Sequence, residues 1–193
     1  MVQLETTLLT VTVQARIEGE WILIDYHTAN RSAVDVYSYD AAPGEPGEEY
    51  PDFSPLRGLY VCHSRDAGKV LVKRMLGSPP AGHKATAVTI PALFQLKPGQ
   101  ARDVKFKLPL PLADKSEFSP HFAEAKYEQH TAKALELVIG YMALPAGSSV
   151  KPFPDNPMAF KAQGAHGPQQ FAVATVAAAV PVKSRVDGSF YCP

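Results

Sequence analysis

Leu9-Thr10-Val11-Thr12-Val13-Gln14-Ala15-Arg16-Ile17 decides the fold class. Its odd-numbered residues are apolar, and Thr10, Thr12, Gln14 and Arg16 between them are polar. Successive side chains of a pleated strand point to opposite faces, so this stretch reads as a half-buried strand with one wet face. Gly19 ends it. Trp21-Ile22-Leu23-Ile24-Asp25-Tyr26-His27 follows, apolar on both faces, as befits a strand central in its sheet. Asn30-Arg31-Ser32 turns the chain into Val34-Asp35-Val36-Tyr37-Ser38-Tyr39, a third strand, and the three together read as an antiparallel meander.

Working outward, residues 41–58 carry Pro43, Pro46, Pro51 and Pro55 and read as a long loop. Strands are expected near Leu59–His63 and Lys69–Met75, turned by Arg65-Asp66-Ala67-Gly68. Val88, Ile90, Ala92, Phe94 and Leu96 alternate again, with Pro91 marking an edge strand or a bend. Pro98-Gly99 signals a type II turn, because glycine supplies the positive φ of its third position. Val104, Phe106 and Leu108 then alternate with Asp103, Lys105 and Lys107, so a hairpin is expected about that turn. Ser119-Pro120 offers an N-cap followed by proline at the first helical position. One short helix is therefore expected between Pro120 and Thr131. Leu135, Leu137, Ile139 and Tyr141 form a strand, and a second proline-rich loop is expected from Pro145 to Pro168. The last strand, Phe171 to Val182, is almost all alanine and valine, which suits close packing between layers.

Eight or nine short strands with frequent turn signals describe an all-β antiparallel sandwich with two long proline-rich loops and at most one short helix. The chain has 193 residues, 46% of them hydrophobic, and is expected to form a single domain over residues 1–193. Eighteen prolines, about 9%, exceed an average near 5% and favour short strands joined by fixed turns. Nineteen Lys and Arg balance nineteen Asp and Glu, so no global field draws a nucleic acid or an anionic membrane surface. No apolar run approaches the length of a membrane-spanning helix. Met1-Val2-Gln3-Leu4-Glu5 lacks a basic start and a continuous apolar stretch. A cytoplasmic location is expected by default, and a periplasmic or secreted one if a signal has been removed.

The turn at Asn30-Arg31-Ser32, and Leu96-Lys97-Pro98-Gly99-Gln100 feeding an alternating strand, resemble immunoglobulin-like sandwich modules of bacterial proteins. The resemblance covers about the first 110 residues and implies the architecture alone. The cysteine–tryptophan–cysteine order of antibody-type domains is absent, since Trp21 precedes both Cys62 and Cys192.

The six histidines include no i, i+4 pair of the helical zinc kind, and His121 and His130 read as surface residues. Asp114, Glu117, Glu48 and Glu49 lack the ligand ladder of a calcium loop and read as solvated acids. Phosphate-binding loops and the Gly-x-Ser-x-Gly elbow are missing. No metal and no cofactor is expected. Asn30-Arg31-Ser32 is formally a glycosylation acceptor, but asparagine here is expected to make the turn. Asp25 and His27 share one face of a strand and could pair as carboxylate and imidazole.

Aromatics carry the most suggestive pattern. Tyr37, Tyr39, Tyr50, Phe53 and Tyr60 cluster around the first proline-rich loop. A stiff loop bearing tyrosines presents binding area at low entropy cost, and it is also what a loop folding over a sandwich edge needs. The expected function is a non-catalytic module, not an enzyme, engaging a protein partner through its loops or an exposed sheet edge. The alternatives are a proteinase-inhibitor-like module and a hydrolase using Asp25, His27 and a loop serine. Cys62 and Cys192 are expected to be free thiols, because Cys192 falls in a tail expected to fray.

Overall fold

The alternating stretch forms β1 (Leu9–Glu18) and the doubly apolar one β2 (Trp21–Asn30), antiparallel, with Glu18 opposite Trp21 across a two-residue turn. Gly19 opens that turn at φ 58°, a conformation costly for any residue with a Cβ. The computed structural model describes residues 8–40, 49–56, 58–64, 68–82, 91–119, 125–143, 149–153, 156–163, 168–186 and 190–193. The remaining strands are β3 (Val36–Ser38), β4 (Leu59–Ser64), β5 (Lys69–Arg74), β6 (Leu93–Leu96), β7 (Ala101–Pro109), β8 (Leu112–Ala113), β9 (Tyr127–Ala143), β10 (Ser149–Phe153), β11 (Asn156–Gln163) and β12 (Gln170–Arg185). Among the described residues there is no helix.

The chain is all-β. A three-stranded sheet, β1-β2-β7, places β2 in the centre as its two apolar faces require, and a nine-stranded sheet holds the rest. Ile22, Ile24 and Phe106 of the small sheet share one buried cluster with Val72, Leu135 and Leu137 of the large one, an arrangement consistent with a β-sandwich. β1 lies over β12 with Cα atoms within 8 Å, and Val11, Val13, Val176 and Ala178 pack against the core there. The small side chains of β12 permit that approach. In the large sheet β9 pairs with β12 along one edge. Along the other it takes β5 in parallel and then β3, so the sheet forks. Inside the fork the buried carboxylate of Asp40 accepts from Tyr26 (2.9 Å) and Ser38 (2.5 Å), with Arg102 at 3.4 Å. Burial, reinforced by Asp40, raises the Tyr26 hydroxyl well above its ordinary value.

Four expectations are corrected. First, β3 does not extend a meander from β2, and no hairpin surrounds Pro98-Gly99. The turn itself forms, with Gly99 at φ 75° and Gln100 N donating to Lys97 O at 2.9 Å. However, β3 and β6 pair with each other in the large sheet, while β2 and β7 pair in the small one. Both turns therefore carry the chain between sheets. Asn30 fastens the two crossings: its Nδ2 donates to Val34 O (2.7 Å) and Leu96 O (2.9 Å), and its backbone bonds Gln100 and Gly99. Turn chemistry sets the local path of the backbone, and burial of apolar faces chooses the partner.

Second, Tyr127–Thr131 belongs to β9 and is extended, while residues 120–124 lie outside the described residues. Long-range pairing with β12 outweighs the local capping signal there. Third, the span 145–168 contains β10 and β11, with β10 at the sheet edge and the backbone slipping register beside Pro152. Proline lacks an N–H and is tolerated where an edge or a bulge leaves that donor unused.

Fourth, Cys62 and Cys192 form a disulfide with Cα atoms 5.9 Å apart, closing 130 residues. The tail does not fray because it is bound. Ser119 Oγ accepts from Tyr191 N (2.8 Å) and donates to Tyr191 O (3.2 Å), and Lys73 Nζ donates to Pro193 O (2.6 Å). Phe118, Phe190 and Cys192 cover Tyr60, Cys62 and Met75 on the outer side of β4 and β5.

Candidate functional site

The five aromatics expected to form a binding cluster are dispersed. Phe53 is 2% exposed and stacks on Phe106 at 4.5 Å, inside the main core. Tyr37 and Tyr39 sit in a second apolar cluster with Leu93 and Met142, and Tyr60 sits in a third with Cys62. Tyr50 alone is on the outer side of the small sheet, where its hydroxyl donates to Asp25 (2.8 Å) and Arg16 lies over its ring. Four of the five are buried and present no surface to a partner. Of the loop's two readings, folding over an edge describes these residues. Pro51 O accepts from Lys107 N (2.9 Å) and Phe53 N donates to Lys107 O (3.0 Å), so residues 51–53 run parallel to β7 and close it.

Asp25 and His27 share a face but not a bond. Asp25 is taken by Arg16 (3.1 Å) and Tyr50, and His27 Nδ1 pairs with Asp103 at 2.8 Å. Both line an open depression of about 330 Å³ on the small sheet, and among the described residues no serine lines it.

Two other features of the structure are candidate binding surfaces. One is a cavity of about 510 Å³ bounded by β4, residues 114–119 and Phe190. Tyr60 lines it, with its hydroxyl donating to Glu117 at 2.5 Å and raised by burial and by that carboxylate. Lys115 lines it too. Its ammonium donates to Ser54 O (2.5 Å) and Leu56 O (2.7 Å), tying down the segment that closes β7, and burial pushes it down to about 8. Asp114, expected to be solvated, has a side chain only 3% exposed. It accepts from Arg185 N (2.7 Å) and is bonded by His63 Nδ1, whose ring packs edge-on against His130. Sequence reasoning missed this group because its partners lie some fifty to seventy positions away and no spacing announces them.

The other is the edge of β12 that faces away from β9. β8 pairs with it at Val182 and Lys183, and among the described residues no strand pairs with the rest. From Phe171 to Val182 there is no charged residue, and Phe171 (46%) and Val173 (52%) stand exposed on its outer face. No helix is long and apolar enough to cross a membrane, and no group of three or more His, Cys, Asp or Glu is placed to hold a metal, among the described residues. No family model, no curated protein and no solved structure matches this chain.

Proposed function

We propose that this chain is a non-catalytic binding module that takes a protein partner by strand addition along the free edge of β12. The observation that carries the reading is an edge of about ten residues without charge, proline-free up to Pro181 and, among the described residues, unpaired over Gln170–Val180. Such an edge offers main-chain donors and acceptors for affinity and alternate side chains for specificity. Natural sheets blunt their edges with charge, proline, bulges or a cover; this stretch has no charge and no proline before Pro181, and a register shift between Ala177 and Val180. The occupant is an extended segment uncharged at its centre, matching the uncharged and mostly small side chains of Phe171–Val180.

A photo-crosslinking residue at Val173 tests the reading in the producing cells. A discrete adduct, lost on Thr175→Lys while the circular dichroism is unchanged, is the expected result. Equal crosslinking from Thr12, on the outer side of the small sheet, would sink it.

The inhibitor and hydrolase readings have less behind them, since residues 51–53 lie along β7 and Asp25 and His27 are each engaged elsewhere. The Cys62–Cys192 bridge favours an oxidising compartment, periplasmic or secreted, over the cytoplasm. Two sheets over one core, with crossings at Asn30 and Pro98, support an immunoglobulin-like scaffold to which the parallel pairings of β5 and β8 are additions.

A further inference from the structure

We propose that the cavity between β4, residues 114–119 and Phe190 binds a small organic carboxylate with an apolar body, with Lys115 as its charge partner. This site is separate from β12 and does not depend on the partner reading. A cavity of about 510 Å³ falls within the usual range for small-molecule sites.

Lys115 and Arg185 in its wall face Asp114 and Glu117, but the ammonium has no carboxylate partner of its own among the described residues. Lys115 is bonded to two backbone carbonyls, and no carboxylate among the described residues forms an ion pair with it. Buried Arg74 adds a second positive charge that opposes the ammonium, while Asp52 and Glu117 favour it more weakly. The acids that line the cavity are already engaged. Asp114 is held by His63 and by Arg185 N, and Glu117 accepts from Tyr60. A half-buried cation short of counter-charge, facing a cavity, favours an anion there. Burial first, and then the charge of Arg74, lowers the Lys115 amine to about 8.

A second donor stands next to it in the chain. Ser116 Oγ accepts from Phe118 N at 3.3 Å, and its own hydrogen meets no acceptor among the described residues. An ammonium and a hydroxyl are a fitting pair for the two oxygens of one carboxylate. The apolar part of the wall, Leu56, Tyr60 and Phe190, selects a ligand with a hydrocarbon or aromatic body over a bare inorganic anion.

Calorimetric titration of the full, oxidised chain at low ionic strength tests this with three probes: benzoate, its neutral analogue benzamide, and inorganic phosphate. Benzoate should saturate, and benzamide and phosphate should each bind about tenfold more weakly or worse. Lys115→Met should lower benzoate affinity by a similar factor while Ser116→Ala lowers it less. Where Lys115→Met does not fold, amide resonances of the unsubstituted chain decide: shifts should concentrate at Lys115, Ser116, Phe118 and Phe190. Equal binding of benzoate and benzamide would overturn the proposal by showing an apolar hole with no charge partner. Phosphate binding as tightly as benzoate would overturn the ligand class. The absence of saturation by benzoate at tens of millimolar, or shifts elsewhere in the chain, would overturn the site.

Discussion

On the β7 flank, residues 51–53 run beside the strand and bond both the N–H and the C=O of Lys107, while Phe53 drops into the core against Phe106. On the β12 flank, among the described residues, only β8 pairs with the outer edge, at Val182 and Lys183, and Phe171 and Val173 lie open. The sequence of each strand makes this distribution unexpected. β7 carries Asp103, Lys105 and Lys107 on its outer face, the kind of charge that discourages a foreign strand, and yet it is bridged at Lys107 by residues 51–53. β12 carries no charge from Phe171 to Val182, and yet among the described residues no strand pairs with its outer edge before Val182. Protection has gone to the strand that needed it less. A cover is thus part of how the core is completed at β7, and the uncharged edge of β12 is the one proposed above to take another chain.

The largest effect should come from the bridge that closes the outer side of β4. Joining residues 130 apart restricts the unfolded chain enough to stabilise by up to about 5 kcal/mol on chain-entropy grounds. Urea unfolding of the reduced protein should show a clearly lower midpoint than the oxidised form. Equal midpoints would mean that Tyr191 and Lys73 hold the tail unaided.

Next comes the cover itself. Phe53→Ala should cost about 3–5 kcal/mol, as for other buried phenylalanines, whereas Val173→Ala on the open flank should stay within about 0.5 kcal/mol. If the two substitutions cost the same, the flanks do not differ in the way described.

A smaller effect should appear with pH. Lys115 anchors the covering segment, and its folded value of about 8 lies below the unfolded value near 10.4. Between those limits the unfolded chain binds more protons, so stability should rise from about pH 8 towards pH 10. Lys73, also lowered by burial, acts in the same direction. Above about pH 10 the order reverses. Tyr26, Tyr39 and Tyr60 are raised by burial, so the unfolded chain loses their protons first and stability should fall. Thermal midpoints across that range check it, and a monotonic decline from pH 8 would remove Lys115 from the account.

The most delicate test needs no substitution. By amide exchange, the N–H of Lys107 and of Phe53 should be protected, while the amides of β12 that point away from β9 exchange as open backbone. Protection on both flanks would close the edge assigned to a partner.

Much of the strand pattern was legible. The alternation in Leu9–Ile17 and the doubly apolar run from Trp21 report burial directly, and the small residues of Phe171–Val182 report a close layer. Pairing was not legible, because Asn30 and Pro98-Gly99 specify turns that look alike whether the next strand stays or crosses. The site was less legible still. Tyrosines beside prolines carry the same composition as a cover or as a binding loop, and burial tells these apart only once the fold has formed. The ammonium of Lys115 answers to carbonyls at Ser54 and Leu56, a relation that leaves no mark on the residues around it.

The corner at Asn30 has a consequence for making the protein. Both hydrogens of its side-chain amide are spent, on Val34 and on Leu96, and the residue is fully buried. A sugar attached to that nitrogen would take one hydrogen's place and could not fit inside the closed corner. In a eukaryotic secretory host the Asn30-Arg31-Ser32 acceptor would therefore set up a race between the glycosyl-transfer machinery and formation of the corner. Chains that fold first would be bare and native. Chains modified first would be held open where the two sheets are joined, and Asn30→Asp would not rescue them, since it replaces the donating amide with a second acceptor.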